Sequence, residues 1–214
     1  MKPIAECRLY AFVDAAYLRG RSPVDVCRAL CEGGADLIQL RAKDWPREAI
    51  LATALALAPL TRRAGVGLVI NDHPDIARQT GAELCHLGQE DFFDAGHRHI
   101  GKLRGDSPLA IGLSTHSPEQ AGRALATGAD YLAVGPVFAT PTKPGRAPVT
   151  LEYVRWAAEN IRVPWFAIGG ITLENLDRVL AAGARRVAVV SALLNAPDIA
   201  GACRQFRDRL ACAA

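Results

Sequence analysis

Long apolar runs are missing from this chain of 214 residues, and none reaches the roughly 20 residues that a membrane-spanning helix needs. Excess charge is missing too. The 25 Lys and Arg against 22 Asp and Glu leave a net charge of +3, with no Lys/Arg run and no aromatic-spaced basic stripe, which argues against nucleic acid as a partner. The first residues, MKPIAECRLY, lack the apolar centre of a secretory signal, so a cytoplasmic setting is expected. Six cysteines are present but no Cys-x-x-Cys pair, and free thiols suit that setting. Cys27 and Cys31 lie one helical turn apart, a spacing open to a metal pair or a redox pair, although small buried side chains on a helix face are the commoner use. The five histidines offer no zinc spacing beyond His97-x-His99. No Gly-x-Gly-x-x-Gly follows the first apolar run, which disfavours an open dinucleotide-binding sheet.

What is present is an alternation of short β-like runs with longer helical patterns. The strand candidates are 9–14, 37–42, 67–72, 84–88, 109–114, 131–138, 164–170 and 186–194. Ser22-Pro23 and Ser117-Pro118-Glu119-Gln120 read as helix starts, and Pro59 predicts a kink or break in the second helical pattern. Gly-Ala recurs at 34–35, 81–82, 128–129 and 183–184, each time between a helical pattern and a strand, as a left-handed helix exit requires. Strands that are almost wholly apolar are buried on both faces, as in a parallel sheet. Eight βα units in one chain of this length predict a single-domain (β/α)8 barrel over 1–214.

In such a barrel, chemistry sits at the C-terminal strand ends. Gln39, Arg41 and Lys43 alternate out of the second strand onto one side, where an anion would offset the cost of desolvating them. Asn71 and Asp72 end the third strand, and Asp91 follows the fourth. Each acid stands where a helix cap could also use it. Together, beside Arg41 and Lys43, the pair reads as a magnesium site, since Mg²⁺ takes one or two carboxylates plus substrate phosphate and water. Ser114, with Thr115 and His116, ends the fifth strand; Thr140, Thr142 and Lys143 follow the sixth; Gly169-Gly170 ends the seventh; and Ser191 belongs to the eighth. These group into a charged, metal-assisted anion site (Arg41, Lys43, Asp72, Asp91, Lys143) and a neutral one (Gly170, Ser191 and the threonines). No nucleophile–base pair and no close carboxylate dyad stand out, which favours ionisation of a leaving group over proton transfer.

The segments QLRAKD, VIND, HLGQED, IGLSTHS, GPVFATPTK, AIGGI and VVSA, in this order and spacing, resemble the thiamine-phosphate synthase family from about residue 9 to 195. The resemblance implies a (β/α)8 transferase. It would join 4-amino-2-methyl-5-hydroxymethylpyrimidine diphosphate to a thiazole phosphate with Mg²⁺, releasing pyrophosphate. It further implies that Gln39, Leu40, Arg41, Ala42, Lys43, Asn71, Ser114 and Lys143 meet the pyrimidine diphosphate, with Arg41, Lys43 and Lys143 catalytic. Asp72 and Asp91 would hold the metal, while Thr140, Pro141, Thr142, Gly170, Val190 and Ser191 would take the thiazole phosphate. Two departures stand out: Pro144-Gly145 follows Lys143 where many members carry charge, and FVDAAYL matches the family's first strand only loosely, which leaves Asp14 without a role. The alternatives are a thiazole tautomerase and a non-catalytic precursor-sensing barrel; a homodimer is one option for an otherwise open oligomeric state.

Overall fold

The computed structural model describes residues 1–140 and 148–212. Eight parallel strands close into a barrel in chain order, β8 pairing back onto β1. They are β1 Leu9–Asp14, β2 Leu37–Arg41, β3 Gly67–Asn71, β4 Leu84–Leu87, β5 Ala110–Thr115, β6 Tyr131–Val134, β7 Trp165–Ile168 and β8 Val187–Ala188. Helices α1 Pro23–Glu32, α2 Arg47–Ala64, α3 Pro74–Thr80 and α6 Pro118–Ala126 cover the first half of the outer ring with the short α4 Gln89–Asp94 and α5 Gly101–Arg104. Helices α7 Thr150–Asn160, α8 Leu176–Ala181, α9 Ser191–Leu194 and α10 Ile199–Cys212 complete it. Among the described residues, no helix is long and apolar enough to cross a membrane.

The two-residue period of a strand divides its side chains between two cores. Tyr10, Phe12, Val69, Tyr131 and Phe166 fill the barrel interior, whereas Leu9, Ala11, Ile38, Leu40 and Ile70 pack outward against the helices. Burial on both faces is what the unbroken apolar runs required. The Gly-Ala repeat also serves as its spacing suggested. Gly34, Gly81, Gly128 and Gly183 all have positive φ, and the amides of Ala35, Ala82 and Ala184 bond back to Leu30, Ala77 and Val179 carbonyls, closing each helix.

The residue after each Gly-Ala adds a tie at the lower rim of the barrel. Asp36 accepts the amides of Arg8 and Leu9 at 2.6 and 2.9 Å, Glu83 that of Leu68 at 3.0 Å, and Asp130 that of Ile111 at 2.7 Å. Each acid thereby satisfies an amide at the start of the preceding strand, where the ladder has not yet begun. In the fourth repeat, Arg185 stands at this position.

Two expectations change. Pro59 does not break its helix: α2 runs unbroken from Arg47 to Ala64 with Pro59 exposed, and Leu55, whose carbonyl Pro59 cannot serve, is exposed to water as well. The eighth strand is also shorter than the run 186–194 suggested, because Ser191–Leu194 turns into the helical α9. An apolar run alone does not separate strand from helix.

Candidate active site

Arg41 sits in register with Asp14 on the neighbouring strand, and its Nη1 lies 2.8 Å from Asp14 Oδ2. The Asp14 side chain is 1 % exposed, and its other oxygen accepts the Ala16 amide at 3.0 Å, turning the chain out of β1. Asp14, to which the sequence assigned no role, thus holds one edge of the guanidinium. A guanidinium carries five donors in a planar fork, so the rest of it stays available to an anion in the cavity.

That cavity opens at the C-terminal strand ends. Of the residues singled out from sequence, it gathers Gln39, Arg41, Asn71, Ser114, Thr140, Gly170, Val190 and Ser191 along its walls. Arg41 of the expected charged set thus shares one space with Thr140, Gly170 and Ser191 of the neutral set. Its floor is aromatic, with Tyr10 and Phe12 stacked at 5.1 Å. Two histidines also line it: His116, named from the end of the fifth strand, and His86, which the sequence reading passed over. His86 Nε2 lies 3.0 Å from Ser114 Oγ, and His116 Nδ1 bonds the Gly135 carbonyl. The His86–Ser114 contact sets a histidine beside a serine hydroxyl, a neighbourhood that does not stand out in the sequence. The two lie 28 residues apart in sequence, yet on paired strands. The inward alternation of β4 was the signal that pointed to His86.

Lys43, Asp72 and Asp91 line an adjoining hollow, joined to the cavity through Asn71, which borders both. The Lys43 ammonium lies 3.4 Å from Asp72 and 3.8 Å from Asp91, so one cation reaches both acids. Neither acid caps a helix. His73 and Gly88 hold the N-cap positions of α3 and α4, without side-chain caps. Asp72 instead takes a left-handed φ of 61° and accepts Asn71 Nδ2 at 2.6 Å. Such a conformation is uncommon for a residue with a side chain, and strained backbone of this kind concentrates at functional sites. Asp91 folds against Gly88, where a Cβ would stand 2.5 Å from its carboxylate oxygen. Leu40 and Ala42 also border this hollow, with their side chains in the outer apolar layer rather than in the central cavity.

On the opposite wall, the amides of Val137 and Phe138 bond the carbonyls of Ile168 and Gly169, carrying the β6–β7 pairing beyond the assigned strands. Gly170 has φ 64°, and a Cβ there would fall 2.6 Å from the Ala139 oxygen. Only glycine lets the two loops close this wall. Pro141, Thr142 and Lys143 lie outside the described residues. Among the described residues, Cys7, Cys27, Cys31, Cys85, Cys203 and Cys212 are free thiols, and no group of three or more His, Cys, Asp or Glu is placed to hold a metal.

Relatives give this arrangement its context. The family model described as thiamine monophosphate synthase matches residues 9–193. The thiamine-phosphate synthase of Thermus thermophilus is 52 % identical over 185 residues, 86 % of each chain. That of Acidothermus cellulolyticus is 46 % identical over 213 residues, 99 % of this chain and 98 % of its own. Among solved structures, thiamine phosphate pyrophosphorylase from Pyrococcus furiosus superposes with a TM-score of 0.85 at 31 % identity, covering 98 % of both chains. Match length and identity together establish that the chain belongs to the thiamine monophosphate synthase family.

Proposed function

We propose that this protein is a thiamine-phosphate synthase that condenses 4-amino-2-methyl-5-hydroxymethylpyrimidine diphosphate with a thiazole phosphate, releasing pyrophosphate with the help of Mg²⁺. The observation that carries this reading is the Asp72–Asp91 pair, within reach of one cation at the edge of a cavity that contains Arg41. Two hard carboxylate donors suit Mg²⁺, with ligand phosphate and water completing its shell. When bound, the ion would supply positive charge to the departing phosphate oxygens.

The chain's own groups supply the rest. Arg41, Lys43 and Asn71 bind the diphosphate and, with Lys143, offset the charge that grows on it as the bond to carbon breaks. Leu40 and Ala42, whose side chains point into the outer layer, reach it through backbone only. Gln39 and Ser114 hold the pyrimidine ring, with His86 orienting the serine hydroxyl. Thr140, Pro141, Thr142, Gly170, Val190 and Ser191 hold the thiazole phosphate on the far wall, aligning its ring nitrogen with the carbon that loses pyrophosphate. That nitrogen carries no proton, so the step needs no base, and the His86–Ser114 pair is free to act in binding.

Incubation of the purified protein with both substrates, with and without Mg²⁺, tests the reading. Thiamine phosphate should form only with the metal; metal-independent turnover would count against it. Asp91→Ala should reduce coupling at least tenfold while changing thiazole phosphate affinity less than twofold, as calorimetry would measure. Equal loss of both would undo the assignment of Asp91 to the diphosphate side.

A further inference from the structure

Asn175 stands at the start of α8, yet its side chain reaches back toward the Gly169-Gly170 turn. Its Oδ1 accepts the Thr172 amide and its Nδ2 donates to the Gly170 carbonyl, both at 2.9 Å. A backbone N–H can only donate and a carbonyl can only accept, so the two partners fix which end of the Asn175 amide faces which. The Thr172 half is the reach-back bond of a helix start, made by a side chain three residues further on. The Gly170 half has no such use, because that carbonyl belongs to a residue of the cavity wall and not to α8.

Holding the Gly170 carbonyl orients the whole peptide that follows it. Among the described residues the one cis bond is Gly135-Pro136, so the Gly170–Ile171 peptide is trans and its N–H points opposite to its C=O. The carbonyl turns to Asn175, which does not line the cavity, so the N–H turns the other way, and Ile171 does line it. The Ile171 side chain packs in the outer apolar core, which leaves its main chain to meet the cavity. The preceding peptide repeats the pattern, since the Gly169 carbonyl accepts the Phe138 amide at 3.0 Å. Neither the Gly170 N–H nor the Ile171 N–H makes a hydrogen bond among the described residues, although Ile171 is only 3 % exposed. A buried amide without a partner is costly, and two successive ones whose carbonyls are held elsewhere make a donor pair for an anion. Gly170, with φ 64° and no side chain, does little by itself to stop the plane from turning.

We propose that Asn175 is a positioning residue that aims the Ile171 N–H at the phosphate of the thiazole substrate and so sets the affinity of this wall for a phosphate monoester. This rests on the reading above, in which a thiazole phosphate lies against Gly170. Without the Asn175 donor the 170–171 peptide can rotate, and one charge-assisted hydrogen bond is lost from the bound substrate and the transition state alike.

The test is steady-state kinetics of wild type, Asn175→Ala and Asn175→Asp. Each variant should raise KM for thiazole phosphate at least about tenfold, with kcat and the KM for the pyrimidine diphosphate within about twofold, the pattern of a lost hydrogen bond to a charged group that ground and transition states share. Asn175→Asp still accepts the Thr172 amide but offers Gly170 no donor. A wild-type KM in that variant would leave Asn175 with the helix start alone and overturn the proposal. Asn175→Ala carries no charge, so its loss cannot come from repulsion of the phosphate; a wild-type KM there, or equal rises in both KM values, also overturns it. Amide NMR of wild type needs neither variant: thiazole phosphate should move the Ile171 N–H signal downfield, and an unmoved signal overturns the proposal even if the variants fail to fold. If wild type neither binds nor uses thiazole phosphate, the functional reading fails instead. Titration with inorganic phosphate then decides the role of Asn175 by the same signal, which must move in wild type and stay in place in Asn175→Ala; any other result overturns it.

Discussion

Replacing Arg41 with alanine is expected to lower kcat/KM for the pyrimidine diphosphate by about a hundredfold to a thousandfold, the usual loss when one preorganised donor to a developing oxyanion is removed. The same change should also destabilise the fold. Asp14 is 1 % exposed, and beyond Arg41 its described partner is a single backbone amide. Removing one member of a buried ion pair strands the other, typically at about 3–5 kcal/mol. For a domain of this size, that lowers Tm by about 6–20 °C. The two effects separate in the double variant Asp14→Ala/Arg41→Ala, which should regain most of the stability and none of the rate. Asp14→Asn alone should keep the fold but lose part of the rate, mainly as a higher KM, because the fork is no longer held on one edge. Arg41→Ala with wild-type Tm, or Asp14→Asn with unchanged kinetics, would show that the pair does not position the guanidinium. Arg41→Lys should not rescue the rate, since an ammonium lacks the fork.

Much of this was legible in the sequence because it depends on period and punctuation. Apolar runs buried on two faces, helix exits at Gly-Ala and polar residues just past each run predict a parallel barrel and locate its mouth. Among the described residues, those given a ligand or metal role from the sequence divide between the cavity and the adjoining hollow, Asn71 bordering both. What escaped is what depends on neighbours across strands. Asp14 means nothing until Arg41 is known to be its register partner, and His86 stays one polar residue in an apolar run until β5 brings Ser114 beside it. The capping alternative for Asp72 and Asp91 was open for the same reason: a cap is a contact of one to three residues, whereas Lys43 reaches both acids from the loop after β2. The helix does not break at Pro59 because a proline rule for helix interiors ignores which side meets water.

Gly112→Ala is expected to be among the most damaging single-atom additions to the barrel. Gly112 pairs in register with Tyr131, and an added Cβ would stand 2.2 to 2.5 Å from three carbons of that ring. The ring has little room to yield: it is fully buried and meets Phe166 edge-on, with centroids 6.1 Å apart. Overpacking a rigid core costs about 1–3 kcal/mol and occasionally more. With the clash against a ring locked on both sides, the upper end is expected, a fall in Tm of about 6–12 °C. Shrinking the ring should relieve it. Tyr131→Leu alone loses packing, but in the Gly112→Ala background it should restore stability, with a coupling of at least about 1 kcal/mol between the two sites. Additive losses would mean that the ring and the glycine do not oppose each other.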